Sequence, residues 1–125
     1  MSPRYTLPML CAVAALLSAC ATEKAPATAD VAVSRAAVEN AAQAGAAELA
    51  PAELLAAREK VQQASRALAD KDYKLARDLA QQAEADAKLA QSKATSAKAT
   101  DAANAVQDNV RVLREELDRA NSANQ

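Results

Sequence analysis

The chain has 125 residues, and its 15 basic and 16 acidic side chains leave a formal charge of −1. This balance excludes the strongly basic surface that is typical of nucleic-acid binding. Because the chain has no histidine, two cysteines and one glycine, we expect no enzyme activity, no metal, no cofactor and no small-molecule substrate. Alanine makes up 37 of the 64 hydrophobic residues, which favours closely packed helices over a sheet or a deep pocket.

The amino-terminal segment has the pattern of a secretory signal. Arg4 supplies a positive charge, and the apolar run from 7 to 17 is too short for a spanning helix. The run ends in Leu17-Ser18-Ala19-Cys20, which resembles the lipobox of bacterial lipoproteins. The resemblance implies a signal peptide over 1–19, cleavage before Cys20, and acyl chains such as palmitate on Cys20. An ordinary buried helix that ends in these four residues by chance is the alternative.

The residue after the candidate lipid-bearing cysteine bears on the location. It is Ala21 rather than aspartate, and among lipoproteins of this kind that resemblance favours the outer membrane, facing the periplasm, over retention in the inner membrane. We therefore expect the membrane to be a partner through the lipid anchor at Cys20. Two or three acyl chains hold a protein at a bilayer stably, whereas one holds it only marginally.

A flexible tether and a weakly marked first helix are expected next. Residues 20–29 are small and polar with Pro26 in the middle, which is typical of a linker. Asp30 is a suitable amino-terminal cap for a helix that ends near Gly45.

The second and third helices are marked by apolar residues at spacings of three and four. Pro51 suits the first turn of the second helix, and the break at Asp70-Lys71-Asp72 predicts a tight helical hairpin. The third helix begins at Tyr73, which we expect to be a packing residue beneath the turn. The apolar positions of the second helix are Leu54, Ala57, Val61, Ala64 and Leu68, and those of the third are Ala76, Ala80, Ala83, Ala87, Ala90, Ala94 and Ala97. This alanine seam at heptad spacing predicts close packing against the larger residues of the second helix.

The carboxyl-terminal segment, 93–125, is predicted to be a helical extension or a frayed tail. Residues 92–104 are rich in Ala, Ser, Thr and Lys, and we expect fraying or bending there. Three-four spacing then resumes, offset by one residue from the alanine seam, at Ala103, Val106, Val110, Leu113, Leu117 and Ala120. Val106, Val110, Leu113 and Leu117 are candidate partner-binding residues. Folding back onto the bundle, pairing as a coiled coil and capture of a different envelope protein remain open alternatives.

The expected fold is all-α, an antiparallel helical hairpin or a three-helix bundle over 30–92 with a long C-terminal helix. If the helices alternate in direction, the tether and the turn at 70–72 lie at the same end. At about 1.5 Å per residue, the last thirty residues or so would then project roughly 40 Å from the bundle.

Two sequence runs carry a further resemblance. The first is Ala46-Ala47-Glu48-Leu49-Ala50-Pro51-Ala52-Glu53-Leu54 with Ala57-Arg58-Glu59-Lys60, and the second is Lys71-Asp72-Tyr73-Lys74-Leu75-Ala76-Arg77-Asp78-Leu79-Ala80. Over about 30–92 the chain is similar to the family described as domain of unknown function 4398. The resemblance implies a helical domain in the cell envelope and provides no catalytic residues. Longer members carry an OmpA-like peptidoglycan-binding module. Since the sequence ends at Gln125 without such a module, we do not carry that activity over.

These expectations together favour an envelope lipoprotein with a structural or protein-interaction role. The alternative function is an accessory regulator that docks on an envelope enzyme or on the peptidoglycan machinery.

Overall fold

The computed structural model describes the backbone of residues 6–125 and the side chains of residues 23–125. Its elements are α1 (Thr6–Gln43), α2 (Ala46–Leu49), α3 (Pro51–Ala69) and α4 (Tyr73–Ala123). The predicted all-α class with a long C-terminal helix is confirmed, and no strand occurs between residues 6 and 125. Of the two architectures left open by the sequence, the structure has the bundle, in which α1, α3 and α4 pack against one another.

Cross-helix side-chain contacts give the directions of the three long helices. Arg77, near the start of α4, donates from its Nε to Asp30 Oδ2 of α1 at 3.1 Å. Gly45, just after α1, lies beside the end of the Lys98 side chain. Residue numbers therefore rise together along α1 and α4, and these two helices are parallel.

Helix α3 runs antiparallel to its two neighbours. Its amino-terminal Glu53 pairs with Lys93, and further along α3 Lys60 Nζ lies 2.5 Å from Asp86 Oδ2. The residue numbers along α3 therefore rise while the residue numbers of their partners on α4 fall. This alternation places the turn at 70–72 at the same end of the bundle as the beginning of the described part of α1, as the sequence predicts.

The alanine seam of α4 forms the centre of the bundle. Its buried members, each no more than 1% exposed, are Ala76, Ala80, Ala83, Ala87, Ala90 and Ala94. Opposite them, Leu54, Ala57 and Ala64 of α3 are buried, and Val61 and Leu68 are half-buried against the same clusters. The predicted packing of a small-residue seam against the α3 stripe is confirmed. Because these side chains are small, the helix backbones can approach closely, and each contact removes little apolar surface from water.

The hairpin between α3 and α4 is closed by backbone hydrogen bonds. Lys71 takes a left-handed conformation with φ 65°. The Asp72 N–H donates to Ala67 O at 2.9 Å and the Lys71 N–H donates to Leu68 O at 3.2 Å, which is a Schellman motif. Asp72 then caps α4, because its Oδ1 accepts from the Leu75 N–H at 3.1 Å. Asp72, rather than Asp70, is therefore the amino-terminal cap of α4.

The connection from α1 to α3 turns at the single glycine. Gly45 has φ 92°, and its N–H donates to Ala42 O at 3.0 Å, which satisfies one of the last carbonyls of α1. After the single turn of α2, Pro51 occupies the first turn of α3. Pro51 therefore lies where the sequence predicts. At this position a backbone N–H would have no partner within the helix, so proline, which lacks one, loses no hydrogen bond.

The predicted flexible tether at 20–29 is wrong over the part where side chains are described, residues 23–29. Helix α1 runs through this segment and includes Pro26. Ala27 is fully buried in a cluster with Ala67 and Ala76. An internal proline costs a helix about 3 kcal/mol. Burial of one methyl group returns about 0.8 kcal/mol, so the packing of Ala27 against α3 and α4 offsets only part of that cost. The first helix of the bundle consequently begins before Asp30.

The expected fraying at residues 92–104 is also wrong. Helix α4 is continuous from Tyr73 to Ala123. Thr95 and Thr100 donate their hydroxyls to the carbonyls four residues earlier, at 2.9 and 3.0 Å, so these side chains satisfy their polar groups within the helix. The many alanines in the same stretch have the highest helix propensity.

Candidate interaction surface

The carboxyl-terminal part of α4 projects beyond the bundle. Ala94 is the last buried residue of α4, Ala97 is half-buried, and every residue from 98 to 125 is exposed. From Lys98 to Ala123 the helix extends roughly 40 Å at about 1.5 Å per residue. We call this part, 98–123, the projecting arm. It neither folds back nor frays, so the helical extension is confirmed.

The four candidate partner-binding residues all lie on the projecting arm and all face solvent. Their exposed fractions are 60% for Val106, 39% for Val110, 58% for Leu113 and 63% for Leu117. They recur at spacings of four, three and four, so they lie along one side of the helix. An apolar row of this length that is left exposed to solvent is a candidate interaction surface.

The offset of this apolar row from the alanine seam is two residues and not the predicted one. The seam residues Ala90, Ala94 and Ala97 are followed two positions later by Ser92, Ser96 and Ala99, and continuing that spacing leads to Ala103 and Val106. The offset is therefore two residues. At about 100° per residue, two residues turn the helix by roughly 200°, so the row faces away from the bundle.

The same row also continues backwards along the bundle, which the sequence interpretation missed. Its lower members are Ala85, Leu89, Ser92, Ser96 and Ala99, and all five are exposed. Its upper members are Ala103, Val106, Val110, Leu113, Leu117 and Ala120. The spacing alternates four and three throughout, and we call this set the outer stripe. That alternation is present in the sequence, but the alanine and serine residues of the lower part give it little hydrophobic signal.

Charged side chains of both signs surround the arm at the level of the upper part of the outer stripe. Arg111 Nη2 donates to Asp108 Oδ1 at 3.0 Å, one turn apart on the same helix. The remaining charges of this region are Arg114, Glu115, Glu116, Asp118 and Arg119. With three arginines against four acidic residues, the surface has no strong field of one sign and does not select a highly charged partner.

A second, polar feature lies at the other end of the bundle. Tyr73 is half-buried and packs against the Ala27, Ala67 and Ala76 cluster, as expected for a residue beneath the turn. Beside it, an open groove is lined by Glu23, Tyr73, Lys74, Arg77, Asp78 and Gln81. The hydrogen bond that Lys74 donates to Asp78 raises the pKa of Lys74. Lys74 thus pairs with Asp78, Arg77 pairs with Asp30, and all four side chains stay partly exposed.

Groups of metal-ligating side chains and membrane-spanning helices are both absent from the described part of the chain. There, no three His, Cys, Asp or Glu side chains are grouped closely enough to hold a metal ion. The same residues contain no helix long and apolar enough to cross a bilayer. The Cys20 side chain lies outside the described side chains, as do those of the proposed signal peptide, so lipidation at Cys20 remains a prediction.

Comparison with known proteins gives one match. No curated protein and no solved structure matches the chain. The family model described as Domain of unknown function (DUF4398) matches residues 29–106, which is more than half of the chain. The match takes in the bundle and reaches Val106, whereas Val110, Leu113 and Leu117 lie beyond it. On this match, the chain belongs to the DUF4398 family.

Proposed function

We propose that this protein is an outer-membrane lipoprotein, anchored through acyl chains on Cys20 and facing the periplasm, with a structural or protein-interaction role. The lipobox residues Leu17-Ser18-Ala19-Cys20 and the alanine at position 21 support the proposed location in the outer membrane. The solvent-exposed Val/Leu row on the projecting arm supports the role, because apolar side chains gain free energy when a partner removes them from water.

The direction of the helices connects the anchor to the surface. Because α1 and α4 are parallel, the arm leaves the bundle at the end farthest from the beginning of α1. A chain held near its amino terminus would present Val106 to Leu117 away from the bilayer. From Tyr73 to Ala123, α4 spans roughly 75 Å at about 1.5 Å per residue. The proposed role is therefore to hold a binding surface at a distance from the membrane.

The anchor is tested by replacing Cys20 with serine. We expect Cys20→Ser to lose incorporation of labelled palmitate and to leave the membrane fraction, because serine offers no thiol for acylation. Cell fractionation and metabolic labelling measure the two effects. Cys11→Ser is the matched control, since Cys11 lies within the proposed signal peptide and should be dispensable. Palmitate labelling or membrane association that persists in Cys20→Ser would refute the anchor.

A further inference from the structure

The outer stripe has the residue spacing of a coiled-coil seam. Its spacing alternates four and three from Ala85 to Ala120, an average of 3.5 residues, whereas a straight helix has about 3.6 residues per turn. A row with this period winds slowly around its helix in the left-handed sense. It stays in contact only with another helix that winds around it. The occupant that fits is consequently a helix, in contact over roughly 50 Å.

We propose that the occupant is a second copy of this chain, paired in parallel along the outer stripe. The parallel orientation rests on the proposed function, because two chains that are anchored in the same membrane extend from it in the same direction. Parallel pairing about a two-fold axis places each stripe residue against its own counterpart. Each bundle then lies on the far side of its own α4, because the seam and the stripe face opposite ways. The two bundles therefore do not obstruct each other.

The composition of the stripe suits this arrangement. Val106, Val110, Leu113 and Leu117 each meet the same residue of the second copy and form four consecutive apolar layers. Between the two bundles, the layers consist mainly of alanine and serine, whose small side chains allow the backbones to approach closely. Val110 and Leu113 occupy the a and d positions of one heptad, a combination that favours two strands.

The flanking residues do not oppose a second copy. In a parallel pair, Asn109 faces Arg114 of the second copy and Glu116 faces its Asn121, so no like charges meet beside the Val/Leu layers. Near the base, Lys88 faces Lys93 of the second copy. Both lysines are already paired within their own chain, Lys88 Nζ with Glu84 Oε1 at 2.6 Å and Lys93 with Glu53. The surface has too little net charge to attract a strongly charged partner, and for the same reason it does not repel a second copy of itself.

Single-cysteine crosslinking in intact cells tests the pairing. Variants of the full chain carry Ser92→Cys, Val106→Cys, Leu113→Cys or Leu117→Cys, and a mild oxidant is applied before gel analysis. In a parallel pair each of these positions faces itself, so all four should give a band of doubled mass well above the wild-type background from Cys11 and Cys20. Glu115→Cys is the control, because position 115 lies opposite the stripe and should give no such increase.

Three outcomes would overturn the proposal. One is no doubled band above background at any stripe position. A second is a doubled band at one position alone, which indicates antiparallel chains that cross there. A third is an adduct of a different mass, which indicates a foreign partner. The readout does not require lipid, so a membrane-free chain that crosslinks at all four positions would uphold the pairing while refuting the anchor.

Discussion

At the scale of single residues, alanine determines how closely the three long helices approach. Ala83 has no exposed surface, and it lies midway along a seam whose neighbours are buried to the same degree. A side chain with one carbon at this position leaves no space for additional atoms unless the helices separate. Small changes of volume within the seam should therefore have a large effect on stability.

Replacing Ala83 by leucine should lower the free energy of unfolding by about 1 to 3 kcal/mol, because the extra carbons overpack the helix contact. Urea denaturation followed by circular dichroism measures the change. Ala105→Leu is the matched control on the exposed arm and should change stability by less than about 0.5 kcal/mol. A neutral or stabilising effect of Ala83→Leu would contradict the packing described for the seam.

Residue patterns predicted the seam, Pro51 and the turn at 70–72, because local spacing and capping chemistry specify these features. They did not predict the helical backbone at 23–29. There the local signals, small residues and Pro26, favour a linker, whereas the burial of Ala27 depends on α3 and α4 being close in space. They also gave no sign that Lys71 adopts a positive φ, since that conformation follows from closing the hairpin.

At the scale of the elements, ion pairs between helices supplement the thin apolar core. Glu53 of α3 pairs with Lys93 of α4 near the end of the bundle from which the arm projects. The hydrogen bond from Lys93, with a smaller contribution from a backbone N–H, lowers the pKa of Glu53 below its ordinary value of 4.5. A carboxylate with a lowered pKa stabilises the fold above its ordinary pKa, and this stabilisation is lost as the pH falls through the lowered value.

The pair should therefore give a pH-dependent difference between wild type and Glu53→Gln. At neutral pH we expect the wild type to be the more stable chain. As the pH falls below about 4.5 the two free energies of unfolding should converge, because protonated glutamate and glutamine are then alike. Urea denaturation across this pH range measures the difference.

Lys93→Gln supplies the control background for this comparison. Without the Lys93 ammonium group, Glu53→Gln should have a smaller effect with a weaker pH dependence. An equal effect in both backgrounds would show that Glu53 acts through something other than this pair.

At the scale of the whole molecule, α4 carries two apolar rows with different uses. The alanine seam packs against α1 and α3 of its own chain, and the outer stripe faces solvent. Of these two, the sequence interpretation recognised the seam completely and only the upper half of the stripe. The Ser and Ala residues of the lower half give little hydrophobic signal, so the exposure of each residue in the structure was needed to trace the stripe along the bundle.

Replacing Val110 and Leu113 together by aspartate should abolish self-association, because burying two carboxylates in adjacent layers is costly. Helicity should fall little, since both residues are exposed on the part of the arm that lies beyond the bundle. Analytical ultracentrifugation measures the first effect and circular dichroism the second.

Glu115→Gln, on the opposite side of the arm, should sediment like the wild type. If the double variant sediments as a dimer alongside a dimeric wild type, the outer stripe is not the pairing surface.

The absence of a joint between the bundle and the arm has a geometric consequence. Helix α4 passes without interruption from the packed region into solvent. The number of residues therefore sets how far the tip of the arm lies from the bundle and in which direction, its heading, the apolar side faces. Deleting one residue near position 100 would lower the tip by about 1.5 Å and swing its apolar side by about 100°. Removing seven would shorten the reach by roughly 10 Å yet nearly preserve the heading. The number of residues in this segment thus sets both the distance and the direction at which the end of the arm can meet a partner.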